Sequence, residues 1–527
     1  MKNVNPQFYN FCGIIALIIP QFSQKSARTM SFNSIQFLIF FPVVVLLYYI
    51  VPNKIRNFWL LAASYYFYMC WNAKYALLIL ASTIITYVSG LLIEKLKTTQ
   101  ADEHKRDMRK KSVVAASFVL NLGILFYFKY TNFAFDMLYA LFARAHIQLN
   151  MPRIDVLLPV GISFYTFQAL SYTMDVYRGE IRSEKNFFRY ALFVSFFPQL
   201  VAGPIERSKN LLKQLQVPHK FSLDGLREGV LLMIWGFFIK LVIADRIAVF
   251  VDTVYGDYIN YPGYYLVVAT VLFAFQIYCD FAGYSTIAMG TAKILGIQLM
   301  DNFNSPYFAT SVAAFWRRWH ISLTSWFKDY LYIPMGGSRK GKIKKYINIM
   351  IVFLVSGLWH GASLSYVIWG GLNGIYQITG EMLWPVRSRI TKLLGIQDKA
   401  LSFKLVKCLF TFVLVDFSWI FFRADRTREA VEIIRQMFSI NNQWILFDGS
   451  LYECGLGLSE FWLMVAAILV LAVADLCKYR GIVIRNVISK QDGWFRYIFI
   501  ATAILIVMTF GKYGPAYDYS NFIYFQF

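Results

Sequence analysis

Apolar side chains follow one another with few interruptions over residues 35–52, 57–73, 75–94, 113–131, 155–176, 227–251, 262–288, 347–384, 405–422, 457–477 and 494–512. A helix needs about 20 such residues to cross the hydrocarbon core of a bilayer. Most of these blocks are of that order and read as crossings. The block at 347–384 is long enough for a hairpin of two short crossings. A shorter apolar run, 190–203, contains Pro198 and reads as a re-entrant segment. From 305 to 335 the pattern changes. Trp316, Trp319, His320, Leu323, Trp326, Phe327 and Tyr330 recur at steps of three and four, with Arg317, Arg318, Ser322 and Lys328 largely between them. That spacing predicts an amphipathic helix at the membrane interface, with His320 on its aromatic face. The pattern as a whole predicts an all-α polytopic membrane protein.

Composition agrees. The chain is 58% hydrophobic and only 16% charged, with a mean hydropathy of +0.48. Soluble domains hold about 45–50% apolar and about 25% charged residues, so lipid is the solvent this surface requires. The net charge of +22 does not point to nucleic acid, because the basic residues gather in short segments between apolar runs. That is the positive-inside distribution. Seven Lys or Arg residues lie in Glu94–Lys111, which is therefore expected in the cytoplasm. The segments 178–189, 207–220, 339–345, 387–407 and 478–490 are expected there too. Counting crossings between them puts the N-terminus outside, 289–346 inside and the tail after about residue 512 outside.

Six cysteines at 12, 70, 279, 408, 454 and 477 show no metal or disulfide spacing, and no nucleotide-binding fingerprint occurs. Residues 1–29 hold one apolar run, 11–20, too short to cross. They are read as a leader of doubtful status, with Met30 the favoured natural start. The rest divides into a membrane domain, 30–512, and an aromatic C-terminal tail, 513–527.

Candidate chemistry centres on His320 and His360. A neutral imidazole can take a proton from an attacking hydroxyl, and an ionisable ring inside an apolar span marks a functional site. His320 is expected near the cytoplasmic mouth of a path and His360 deep in the membrane, so that two polar rings at different depths line a route across. Asp280, beside Gly283, is expected to orient a histidine. Trp316, Trp319 and Trp359 are expected to support the path, and Gly361 to allow close approach.

Several of these segments also resemble a known family. They are Phe197-Pro-Gln-Leu-Val-Ala-Gly-Pro-Ile205, Cys279-Asp-Phe-Ala-Gly-Tyr-Ser285, Asn302-Phe-Asn-Ser-Pro-Tyr-Phe308, Phe315-Trp-Arg-Arg-Trp-His-Ile-Ser-Leu323, Tyr330-Leu-Tyr-Ile-Pro-Met-Gly-Gly337, Ser356-Gly-Leu-Trp-His-Gly361 and the tail Phe522-Ile-Tyr-Phe-Gln-Phe527. In order and over nearly everything after Met30, the chain resembles the bacterial membrane-bound O-acyltransferase (MBOAT) family, most closely its alginate O-acetylation membrane subunits. The resemblance implies a ring of about 10–12 transmembrane helices, with re-entrant and interfacial helices, around a central tunnel in the inner (cytoplasmic) membrane. It implies His360 as the family histidine and His320 as the second polar position. The implied donor is cytoplasmic acetyl-CoA, with no permanently bound cofactor. An extracytoplasmic SGNH-type acetyltransferase then passes the acetyl group to an exported polysaccharide. Tyr524 falls where related systems carry the acyl group, and Arg317, Arg318 and Lys328 are candidates for the coenzyme A phosphates.

Two other functions fit parts of this pattern. One is D-alanyl transfer to teichoic acid from a carrier-protein thioester. The other is a transporter or flippase with a histidine proton relay, which paired interrupted helices in two halves would signal. No such repeat is visible.

Overall fold

A computed structural model describes residues 30–99, 102–147, 153, 158–513 and 523. Among them every regular element is helical. The main helices are α1 (Ile35–Ile50), α2 (Asn53–Asn72), α3 (Ala76–Thr98), α4 (Glu103–Lys129), α5 (Ile162–Arg178), α6 (Leu223–Phe237), α7 (Asp245–Gly256), α8 (Tyr264–Ile294), α9 (Lys342–His360), α10 (Leu364–Met382), α11 (Leu401–Arg423), α12 (Leu458–Tyr479) and α13 (Gly493–Phe510). Among the described residues each of the eleven apolar blocks is mostly helix, and the block at 347–384 is the expected hairpin, α9 and α10. The leader, 1–29, lies outside the described residues, as does the tail apart from residues 513 and 523.

Lipid explains the outer helices. Leu77, Val119, Leu409, Leu469 and Leu505 expose more than half of their surface. In water such a belt would aggregate, whereas in hydrocarbon it is the matched solvent. The inner helices are enclosed by protein instead. The most apolar stretch of α8 is 78% buried, while that of α13 is not buried at all. The short apolar run 190–203, expected to be re-entrant, falls on two short helices. Phe187–Ser195 and Phe197–Leu200 are short helices broken at Phe196 and packed inside the protein.

The interfacial helix expected over 305–335 is not there. The chain instead turns into the interior as Pro306–Phe308, Val312–Trp316, a reversal at His320, Ile321–Phe327 and a π-helical turn over Lys328–Tyr332. Val312, Phe315, Trp316, Trp319, Leu323, Trp326 and Phe327 are all buried. An aromatic face that broad is covered better by neighbouring helices than by a lipid surface touching one side. Trp319 packs on Phe303 and Trp419, with ring centroids 5.1 Å away in both cases.

Close approach of α6 and α8 fixes the centre. A Cβ added at Gly236 would lie 2.8 Å from the Gly283 carbonyl oxygen, and one at Gly229 would lie 2.7 Å from that of Gly290. Only glycine allows backbones so near, and in a membrane such contact is a main source of helix–helix affinity. After α6 a π-helical turn, Phe238–Ala244, shifts the register and carries Lys240 toward α8.

Candidate active site

His360 is the last residue of α9, so its carbonyl and those just before it lack helical partners. The end of α4 supplies them. Lys129 Nζ donates to the carbonyls of Trp359 at 2.8 Å and His360 at 3.1 Å, and Tyr130 Oη donates to that of Leu358 at 2.7 Å. A cation there also complements the helix dipole. Gly361 follows, and a Cβ on it would lie 2.1 Å from the Tyr366 ring, so the hairpin closes tightly over the histidine. The imidazole sits against Trp369 at 5.1 Å and Phe422 at 5.4 Å between centroids.

His320 is held by a different device. Its φ is 43°, in the left-handed region, where few non-glycine residues lie. Asn302 clamps the reversal from outside. Its carbonyl accepts from Ile321 N at 2.9 Å; its Oδ1 accepts from Ser322 N at 3.3 Å, and its Nδ2 donates to Ser285 Oγ at 3.0 Å. Ser322 Oγ accepts from Ile205 N at 3.1 Å, tying this turn to the end of the segment 190–205. The ring then faces Phe281 at 4.6 Å, with Trp359 at 5.9 Å and Phe164 at 6.2 Å.

The histidines therefore do not line a path at separate depths. Their ring centroids are 6.2 Å apart, in one buried aromatic chamber. The interior course of 302–332 brings His320 from a segment expected at the cytoplasmic face to the far end of α9. Trp359 lies against both rings, its centroid 5.9 Å from that of His320 and 4.9 Å from that of His360. Trp316 stands one layer behind, its centroid 5.6 Å from that of Trp369, and its Nε1 donates to Asn373 Oδ1 at 3.2 Å.

Asp280 is the second correction. It orients neither histidine. Its carboxylate pairs with Lys240, which also donates to Asp245 at 2.8 Å, and it accepts from the Ile523 backbone N–H at 2.7 Å. The reason is helical geometry: successive residues point about 100° apart, so when Phe281 faces His320, Asp280 faces α6 and the tail. Tyr524 lies outside the described residues. Of the basic candidates, Arg317 and Lys328 are exposed. Arg318 donates to the Asn304 carbonyl at 3.0 Å and lies over the Tyr479 ring.

Next to the chamber is a cavity of about 350 Å³, lined among others by Lys129, Gln276, Gly361, Tyr366, Arg423 and Ile523. A smaller one, of about 30 Å³, touches Lys129, Ser163 and His360, enough for a single water. Lys129, Lys240 and Asn302 were not read from the sequence as site residues. For the two lysines the signal was present, since each is a cation inside an apolar run. Asn302 carries no such mark.

The chain is a multi-pass helical membrane protein with two histidines in one buried chamber and a cavity beside it. Residues 177–415 match MBOAT, the membrane-bound O-acyltransferase family. The chain is 36% identical over 513 residues to the probable alginate O-acetylase AlgI of Pseudomonas putida, covering 94% of this chain and 100% of that protein. It is 33% identical over 433 residues to a peptidoglycan O-acetyltransferase of Helicobacter pylori, covering 76% and 78%. To a teichoic acid D-alanyltransferase of Bacillus subtilis it is 29% identical over 245 residues, covering 43% and 60%. The chain belongs to the membrane-bound O-acyltransferase family.

Proposed function

We propose that this protein transfers an acetyl group from cytoplasmic acetyl-CoA to the outer side of the inner (cytoplasmic) membrane, for O-acetylation of an exported polysaccharide of the alginate type. The observation that carries the reading is the pair of histidines, 6.2 Å apart between centroids, beside a cavity that a residue of the C-terminal tail lines. The acetylating relatives match over far more of the chain than the D-alanylating one, which favours acetyl over D-alanyl.

In this reading the thioester reaches the chamber from the basic face, where Arg317 and Lys328 meet the coenzyme A phosphates. The phenol oxygen of Tyr524 attacks the acetyl carbonyl while His360 accepts the phenolic proton. His320 donates a hydrogen bond to the carbonyl oxygen as negative charge develops on it. The carbon–sulfur bond breaks, and the departing thiolate takes the proton from His360. The tyrosyl ester has a phenolate as its leaving group, so it remains reactive toward a serine of an extracytoplasmic SGNH-type partner. That partner then acetylates the polysaccharide and restores the tyrosine.

The test uses purified protein and acetyl-CoA labelled in the acetyl group. Wild type releases coenzyme A and takes up label. His360→Ala loses both, by about 10²–10⁴-fold for a missing general base. Tyr524→Phe loses the label bound to the chain. If wild type with its partner neither releases coenzyme A nor becomes labelled, the acetyl-CoA reading falls.

A further inference from the structure

Lys240, Asp245 and Asp280 form a buried cluster of one cation and two carboxylates, at 7%, 7% and 2% exposure. A buried carboxylate demands donors beyond a single ammonium. The structure provides one from a distant part of the chain, the backbone N–H of Ile523 on Asp280 Oδ2 at 2.7 Å. The same region grips the start of the tail. Arg246 donates to the Phe510 carbonyl at 3.0 Å, and Lys512 N donates to that of Leu241, also at 3.0 Å. Both ends of the segment from 511 to 523 are thus fastened to residues 240–246 and to the carboxylate facing them. Ile523 itself is 5% exposed and lines the cavity with Gly361 and Lys129.

We propose that Asp280 is the positioning residue of the C-terminal tail: its charge, set in place by Lys240, seats the end of the chain in the membrane core by accepting the Ile523 amide hydrogen. A buried amide needs an acceptor from the protein, so a fixed carboxylate selects where residue 523 docks. Tyr524 is the next residue in sequence, and the importance of the seat for acyl transfer rests on the carrier reading above.

Hydrogen–deuterium exchange of the C-terminal peptide, read by mass spectrometry on full-length protein in nanodiscs, tests this directly. Wild type retains a slowly exchanging amide there. Asp280→Asn exchanges it about tenfold faster, the difference between a charged and a neutral acceptor, with the rest of the map unchanged. Ile523→Pro removes the donor itself and leaves the buried cluster intact; read on the other amides of the C-terminal peptide, which exchange faster once the seat is lost, it decides the matter if Asp280→Asn fails to fold. Ile523→Ala keeps the amide and retains the protection. Unchanged exchange in both Asp280→Asn and Ile523→Pro would overturn the assignment, as would loss of protection in Ile523→Ala equal to that in Ile523→Pro. Exchange at one amide is blind to acylation, so failure of the tyrosyl carrier shows only in the labelling experiment.

Discussion

His320 separates backbone from chemistry at the scale of a single residue. Its left-handed φ of 43° is tolerated best by Gly and Asn and costs other residues about 1–2 kcal/mol. His320→Asn therefore keeps the reversal and the thermal midpoint while the rate of coenzyme A release falls. His320→Val, β-branched at the same φ, lowers the midpoint as well. Thermal unfolding and turnover measured on both variants check this, and equal midpoints would refute the role given to the backbone. Lys129 acts on the other histidine through the carbonyls that end α9. Lys129→Met leaves the histidine in place but loosens its support, and misplacement of a catalytic group by about 1 Å can cost about 10²-fold in rate. The expected result is a large drop in kcat with KM for acetyl-CoA little changed and partial recovery in Lys129→Arg. An unchanged kcat in Lys129→Met removes the positioning role. Lys129 stood out in the sequence only as a cation inside an apolar run; its partners did not, because a capping contact joins residues far apart along the chain.

Among elements, the α6–α8 pair is sensitive to a single added methyl group. A Cβ at Gly236 meets backbone at 2.8 Å, which cannot swing aside, so Gly236→Ala must push the helices apart. Overpacking of this kind costs about 1–3 kcal/mol. Gly123 on α4 has nothing within 4 Å of an added Cβ, and Gly123→Ala is expected to leave thermal stability unchanged or slightly higher. Melting both variants in detergent checks the contrast, and an equal effect would rule out the packing account. Apolar length foretold these helices well, since hydrocarbon imposes a single requirement on every crossing. It misjudged the segment from 305 to 335. Steps of three and four report an aromatic face, and that face is equally suited to lipid and to the side of another helix.

For the whole molecule the two orientations of the chain make opposite claims. The cavity is lined by residues at or just beyond the ends of α4, α9 and α11, including Lys129, Gly361 and Arg423. Each of those helices starts in or beside a basic segment, such as Lys342, Lys344 and Lys345 of α9. By the positive-inside rule the cavity is expected to open away from the cytoplasm, the face on which the proposed transfer hands on its acetyl group. In spheroplasts an impermeant maleimide is expected to label Asp448→Cys, and to label Lys340→Cys only after permeabilisation. The reverse pattern would invert the topology and the direction of transfer.

The order of apolar and basic segments alone determined the helical class, the crossings and the hairpin at 347–384. These follow from a local rule, the free energy of each side chain in lipid or water. Only the tertiary structure decided that His320 meets His360, that Asp280 serves the tail and not a histidine, and that Lys129 ends α9. Those facts depend on which distant backbones approach within hydrogen-bonding reach, and there the neighbours along the chain exert no preference.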